Sequence, residues 1–169
     1  MLKKVCIKNF LSCEDTEFDL EQITVLIGRN AAGKTTILKF IEWAAQFIIG
    51  AKPISEYETL SKSFSIEFLM DESILKYEME SSEDYAKHNE KLLCYIDNKF
   101  EIISEKNAEE VYYSELNKKI NINKDASMLS SLISLLPKED SSYISRVSNY
   151  LSKIRYYTFN VELKDKNSI

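Results

Sequence analysis

A chain of 169 residues with 22 Lys and Arg against 27 Asp and Glu carries a net charge of −5, and 44% of it is apolar. That is enough apolar side chain for one domain burying roughly 70% of its unfolded surface, and with only 3 Gly and 2 Pro it excludes a disordered, collagen-like or linker-dominated chain. The acidic balance argues against a dedicated nucleic-acid clamp, which would show as a basic face. Cys6, Cys13 and Cys94 form no C-x-x-C pair, and His88 is the single imidazole, so neither a zinc site nor a disulfide framework is expected. Lys8 and Asn9 interrupt the leader-like start, and no apolar run approaches the roughly 18 residues of a membrane span. The expectation is a cytoplasmic protein with no membrane partner.

Residues 2–10 alternate loosely between β-branched or apolar and polar types, which predicts a strand with one wet face; Thr16 to Leu20 is a second candidate. Ile23-Thr24-Val25-Leu26-Ile27 is a nearly continuous apolar run ending at Gly28, the pattern of a central parallel strand buried on both faces. From Lys34 the apolar spacing becomes helical (Ile37, Leu38, Ile41, Ala44, Ala45, Ile48), widened by Phe40, Trp43 and Phe47, and Gly50 and Pro53 end it. Between about 62 and 122 the pattern is antiparallel, with strands expected at Ser63–Met70, Ile74–Glu80, Lys91–Ile96 and Phe100–Ser104. Asp97-Asn98 suits a tight hairpin turn, and Ser81 to Glu90 reads as a polar loop. Two helices follow. One carries Met128, Leu129, Leu132, Ile133 and Leu136 and stops at Pro137; the other carries Ile144, Val147, Leu151 and Ile154 behind a possible N-cap at Asp140. Ile154 to Phe159 suggests a last strand, and Lys164 to Ile169 a polar tail.

Gly28-Arg29-Asn30-Ala31-Ala32-Gly33-Lys34-Thr35 fits G-x-x-x-x-G-K-[ST], a phosphate-binding P-loop, and lies between an apolar strand pattern and an apolar helix pattern as that motif requires. The glycines let the backbone curl so that consecutive N–H groups face phosphate oxygens at the positive end of the following helix. Lys34 would hold β- and γ-phosphate oxygens, and the Thr35 hydroxyl would be a ligand of Mg²⁺. Asn30 and Thr36 are candidates for the γ- and α-phosphate, or else ordinary polar residues of a loop and a first turn. The structural alternative for the whole motif is a glycine turn capping a core helix.

Ile7-Lys8-Asn9-Phe10-Leu11-Ser12, then Phe18-Asp19-Leu20, then Ile23 to Thr36 together resemble the amino terminus of ABC-type P-loop ATPases, AAA-type ATP-binding proteins of the structural-maintenance-of-chromosomes (SMC), RecF and OLD (overcoming lysogenization defect) group. Those families open with I-x-N-F-x-S, a second short strand and a loop of the form G-x-N-x-x-G-K-[ST]. Here Asn30 fills the Asn position and Ala31 replaces the more usual Gly. The close likeness covers about fifty residues, and the later elements agree only in order. It implies an α/β P-loop fold in which the chain is a single ATP-binding lobe: strands, P-loop and helix over 1–53, an antiparallel region over 54–125, helices and a strand over 126–160, and the tail 161–169. It further implies ATP and Mg²⁺ as cofactors, pairing with a second ATPase lobe or head-to-head self-association, and work on DNA in maintenance, repair or phage defence.

Hydrolysis in this class needs an acidic strand end, four apolar residues then Asp-Glu, behind a Ser-Gly signature. No such signature occurs. Phe68-Leu69-Met70-Asp71-Glu72 imitates the acidic motif, but Glu67 breaks the run and a hairpin turn is the expectation; Leu92 to Asp97 is followed by Asn98 and reads the same way. Asn98-Lys99-Phe100-Glu101 lacks the final Asp of a guanine-specificity motif. The chain by itself is therefore expected to bind nucleotide without efficient turnover. A nucleotide-sensing module remains an open alternative. So does a small nucleotide kinase, although only Arg29, Arg146 and Arg155 are present to form a lid. Lys118, Lys119 and Lys124 read as a solvated strand or loop, and Tyr156 and Tyr157 as strand packing more than a nucleotide edge.

Overall fold

A computed structural model describes residues 1–52, 63–70, 72–81, 88–135 and 142–157. Among them, eight strands form one antiparallel sheet in the order β2-β1-β3-β4-β5-β6-β7-β8. The strands are β1 (Leu2–Phe10), β2 (Cys13–Asp19), β3 (Ser63–Met70), β4 (Ser73–Ser81), β5 (His88–Ile96), β6 (Lys99–Asn107), β7 (Glu110–Tyr113) and β8 (Lys118–Asn121). The described residues also form three α-helices: α1 (Lys34–Ile48), α2 (Met128–Leu135) and α3 (Tyr143–Leu151).

Period-two patterning decides which face is covered. Val5 and Ile7 of β1, Phe64, Ile66 and Phe68 of β3, Leu75, Tyr77 and Met79 of β4, and Leu92 and Cys94 of β5 are buried, while their neighbours along each strand are less covered. The helices lie on that face. α1 is anchored by rings: Phe10 of β1 meets Phe40 edge-on at 5.0 Å and stacks on Trp43 at 5.8 Å, and Phe64 of β3 meets Phe40 at 5.4 Å. Such pairs each add about 0.5–1.5 kcal/mol beyond the area they bury. α3 is tied on by Tyr150 stacked on Phe68 at 6.2 Å.

The turns follow the residues available. Asp97 and Asn98 have φ of 49° and 64° between the paired Ile96 and Lys99, the left-handed two-residue hairpin expected there. Met70 pairs with Ser73, so Glu72, with φ of 69°, belongs to a hairpin turn and not to a catalytic strand end; Asp71 lies outside the described residues. Gly50, with φ of 75°, follows the last turn of α1, and a side chain there would collide with Ser130 at 2.5 Å. Pro53, Leu136, Pro137, Asp140 and the 161–169 tail lie outside the described residues.

Several expectations are corrected. Ile23 to Ile27 is not a strand: no described strand pairs with it, and Ile23, Val25 and Ile27 are 86%, 73% and 91% exposed. A run apolar on both faces needs neighbours on both sides to become a central strand, and here the sheet edge is β2. The chain leaves that edge at Leu20, whose N–H donates to Lys3 O, and turns where Glu21 N–H donates to Thr24 Oγ1. Ile154 to Tyr157 is likewise not a strand, because Tyr156 N–H goes to Glu42 of α1 and not to a sheet; Phe159 lies outside the described residues. The N-cap of α3 is Ser142, whose hydroxyl accepts from Ser145 N–H at 3.4 Å. β7 and β8 were not anticipated, being four residues each with a short 3-10 turn at Ser114–Leu116 between them.

Of the 81–90 segment expected as a polar loop, 82–87 lie outside the described residues, and the two ends belong to strands. Ser81 ends β4 and His88 to Glu90 begin β5, and His88 and Glu90 are buried together with Lys106 of β6. Glu90 accepts from Met128 N–H at 2.9 and 3.1 Å, so a sheet carboxylate caps the N-terminus of α2, and it also accepts from the Tyr77 hydroxyl. The Lys106 ammonium lies 3.3 Å from Glu90 and donates to Lys124 O at 2.9 Å and Ala126 O at 2.6 Å. His88 Nε2 is 2.8 Å from Glu90 and 2.7 Å from Lys106. A single ring nitrogen serves one of them at a time, donating to Glu90 when protonated and accepting from Lys106 when bare. Burial, then the Glu90 charge beside it, pushes the Tyr77 phenol well above its ordinary range, and burial pulls the Lys106 ammonium down against the attraction of Glu90.

Candidate functional site

The loop before α1 curls as its residues dictate. Gly33 takes φ of 84° at the N-cap, and Ala31 takes φ of 65°. Ala32 N–H donates to Arg29 O at 3.2 Å, closing the turn, and Ile37 N–H donates to Gly33 O at 3.0 Å, opening the helix. Gly28 differs from expectation: its φ is not left-handed, and a Cβ there would meet Ala32 Cβ at 3.5 Å, an ordinary contact. Curling therefore rests on Gly33 and Ala31.

The N-terminus of α1 has no side-chain cap and no acidic residue in its first turn. The first N–H groups of a helix have no intrahelical acceptor, and the helix dipole makes that end electropositive. An anion satisfies both at once. Lys34, half-buried, folds back over the loop and donates to Gly28 O at 2.7 Å and Arg29 O at 2.6 Å. These neutral carbonyls hold the ammonium at the loop mouth, where an anionic oxygen is the stronger acceptor.

Asn30 to Thr36 and Ser12 line one open pocket of about 440 Å³. Asn30, Ala31, Ala32, Gly33, Lys34, Thr35 and Thr36 are thus brought together, while Gly28 and Arg29 contribute carbonyls to Lys34 from behind. Ser12 was not singled out from the sequence as a site residue. It sits at the tip of the β1–β2 hairpin, donates to Thr36 Oγ1 at 3.2 Å and stands 3.5 Å from the position a Cβ on Gly33 would occupy. The signal for it was the Ser of the I-x-N-F-x-S pattern, whose Phe10 and Ile7 are core residues. No carboxylate lines the pocket among the described residues, and the hydroxyls on its wall are those of Ser12, Thr35 and Thr36.

The other candidates fall elsewhere. Lys118 and Lys119 lie on the exposed edge strand β8, with Lys119 paired to Glu110 at 2.9 Å. Tyr157 is exposed and Tyr156 lies beside α1. Arg146 packs over the Tyr143 ring and Arg155 donates to the carbonyls of Ser152 and Ile154, an arrangement unlike a lid poised over a transferred phosphate. Among the described residues no helix is long and apolar enough to cross a membrane.

Beyond the motif, one comparison decides the family. A family model described as an AAA domain matches residues 4–168. The chain belongs to the AAA-domain family. This AAA domain is therefore a nucleotide-binding protein with a P-loop ATPase fold, an antiparallel sheet followed by helices. It is also similar to an OLD nuclease of Thermus scotoductus, with 48% identity over 42 residues, which are 25% of this chain and 8% of that protein. The AAA domain is broadly related to OLD-family ATPases through that stretch, and the match spans less than a tenth of the relative's length.

Proposed function

We propose that this AAA domain binds Mg·ATP through residues 28–36 and acts as the N-terminal lobe of a two-lobe ATPase of the SMC, RecF and OLD type, working on DNA in maintenance, repair or phage defence. The observation that carries the reading is the uncapped start of α1 behind a left-handed Gly33, with the Lys34 ammonium at the mouth of the same pocket. The N–H groups of the loop and first helical turn receive phosphate oxygens, and Gly28 and Arg29 hold Lys34 until a phosphate replaces their carbonyls. Lys34 then neutralises β- and γ-phosphate charge, Asn30 takes the γ-phosphate side of the loop, and Thr36 takes the α-phosphate. Thr35 is the residue whose hydroxyl would hold Mg²⁺. When bound, Mg²⁺ neutralises phosphate charge and orients the triphosphate.

The single-lobe division 1–169 belongs to the same proposal. Its support is the exposed Ile23, Val25 and Ile27 run directly before the loop, a strand-like segment that a second lobe's sheet would cover. That lobe also supplies the signature and the acidic motif, since Glu72 lies in a turn. The test is Mg·ATP turnover by this chain alone beside nucleotide binding. Binding without efficient turnover is expected. Sustained turnover that Lys34→Ala abolishes contradicts the single-lobe reading, because it requires a complete acidic motif within these residues.

A further inference from the structure

We infer that Ser12, on the tip of the β1–β2 hairpin, is a positioning residue of the nucleotide site that sets the proton of the Thr36 hydroxyl toward a bound phosphate. The inference rests on the reading of residues 28–36 as the phosphate loop. Ser12 comes from a different element, yet it shares the loop's pocket and donates to Thr36 Oγ1 at 3.2 Å. Its position is held at some expense: Asn9 and Leu11, flanking Phe10, take φ of 59° and 50°. Left-handed backbone is unfavourable for a Leu side chain, and such strain persists where the surroundings over-determine it. Here the buried Phe10 ring, packed on Phe40 and Trp43, and the Phe10–Cys13 pair fix both ends of the tip.

The chemistry follows from the inventory of a hydroxyl, one proton and two lone pairs. A Thr hydroxyl has one proton to give, and donating it to Ser12 or to a backbone carbonyl would take it away from the pocket. Ser12 fills one lone pair of Thr36 Oγ1 from the hairpin side and leaves its proton to a phosphate oxygen. The resulting chain, Ser12 to Thr36 to phosphate, runs in one direction, and each donor polarises the next. Ser12 thus acts through Thr36.

The test is titration calorimetry of the 169-residue chain with Mg·ADP, which avoids turnover, together with thermal unfolding. Ser12→Ala is expected to weaken binding about three- to tenfold with an unchanged unfolding midpoint, and Ser12→Thr, which keeps the hydroxyl, to restore it to within about twofold. In a Thr36→Val background, Ser12→Ala is expected to add nothing. Unchanged affinity in Ser12→Ala overturns the inference, as does a loss that multiplies with that of Thr36→Val, since Ser12 would then act independently of Thr36. Lys34→Ala in the same series separates the two claims. If it binds as wild type does, the phosphate-loop reading itself fails; if it loses affinity while Ser12→Ala does not, only the role of Ser12 fails.

Discussion

At the scale of single residues, the loop before α1 relies on two left-handed positions occupied by residues of opposite aptitude. Gly33 meets φ of 84° without steric penalty, while Ala31 holds φ of 65° with a Cβ, at about 1–2 kcal/mol. Ala31→Gly is therefore expected to raise stability by about 0.5–1 kcal/mol after the extra chain entropy of glycine is set against the relieved strain, and Gly33→Ala to lower it by about 1–2 kcal/mol. Urea unfolding of the two variants checks this, and a loss of stability in Ala31→Gly contradicts it. The loop's identity was legible because its residue types are those its geometry demands. Ser12 was less legible: a serine in a turn has no pattern of its own, and its role depends on where the hairpin tip lands against α1.

Among the elements, the strands with one buried face were readable from alternation, as β1 and β3 show, and α1 from its wide apolar stripe. The start of β5 was not, because His88 and Glu90 look like loop residues until Lys106, Tyr77 and the N-terminus of α2 are seen to enclose them. No local spacing connects residues 88–90 with 106 and 128. The cluster joins layers: Glu90 caps α2, and Ser127, just before it, donates to Ile48 O at the end of α1 at 2.5 Å. Glu90→Leu leaves Lys106 buried without its counter-charge and Met128 N–H without its acceptor, and is expected to cost about 3–5 kcal/mol. Adding Lys106→Met recovers a large part of that loss, because an apolar pair of similar volume can replace a buried ion pair. Denaturant midpoints of the single and double variants measure it; equal losses in both would show that the charge pairing is not what holds α2 to the sheet.

At the scale of the molecule, one sheet carries three helices on one face among the described residues, and the loop that begins α1 stands next to a segment with no described strand beside it. Ile23 to Ile27 read as a buried strand because its composition suits one, and composition cannot show whether the neighbouring strands are at hand. The exposed placement has a plain consequence. Replacing Ile23, Val25 and Ile27 by Ser together is expected to change the stability of this chain by no more than about 1.5 kcal/mol, the sum of ordinary surface substitutions. Were the three side chains buried, each would contribute about 1.5–3 kcal/mol. Urea unfolding separates these outcomes, and a loss in the larger range would return the segment to the core.

The central claim, that residues 28–36 hold the phosphates of ATP, is tested most directly by calorimetric titration of Mg·ATP into the wild-type chain and into Lys34→Ala. Lys34 donates to the loop carbonyls of Gly28 and Arg29 at the mouth of the pocket and is not a core residue, so its removal leaves the core intact. Loss of its charge-assisted bonds is expected to weaken binding by roughly ten- to a hundredfold, about 1.5–3 kcal/mol, with the unfolding midpoint unchanged. Equal affinity in the two proteins would contradict the account.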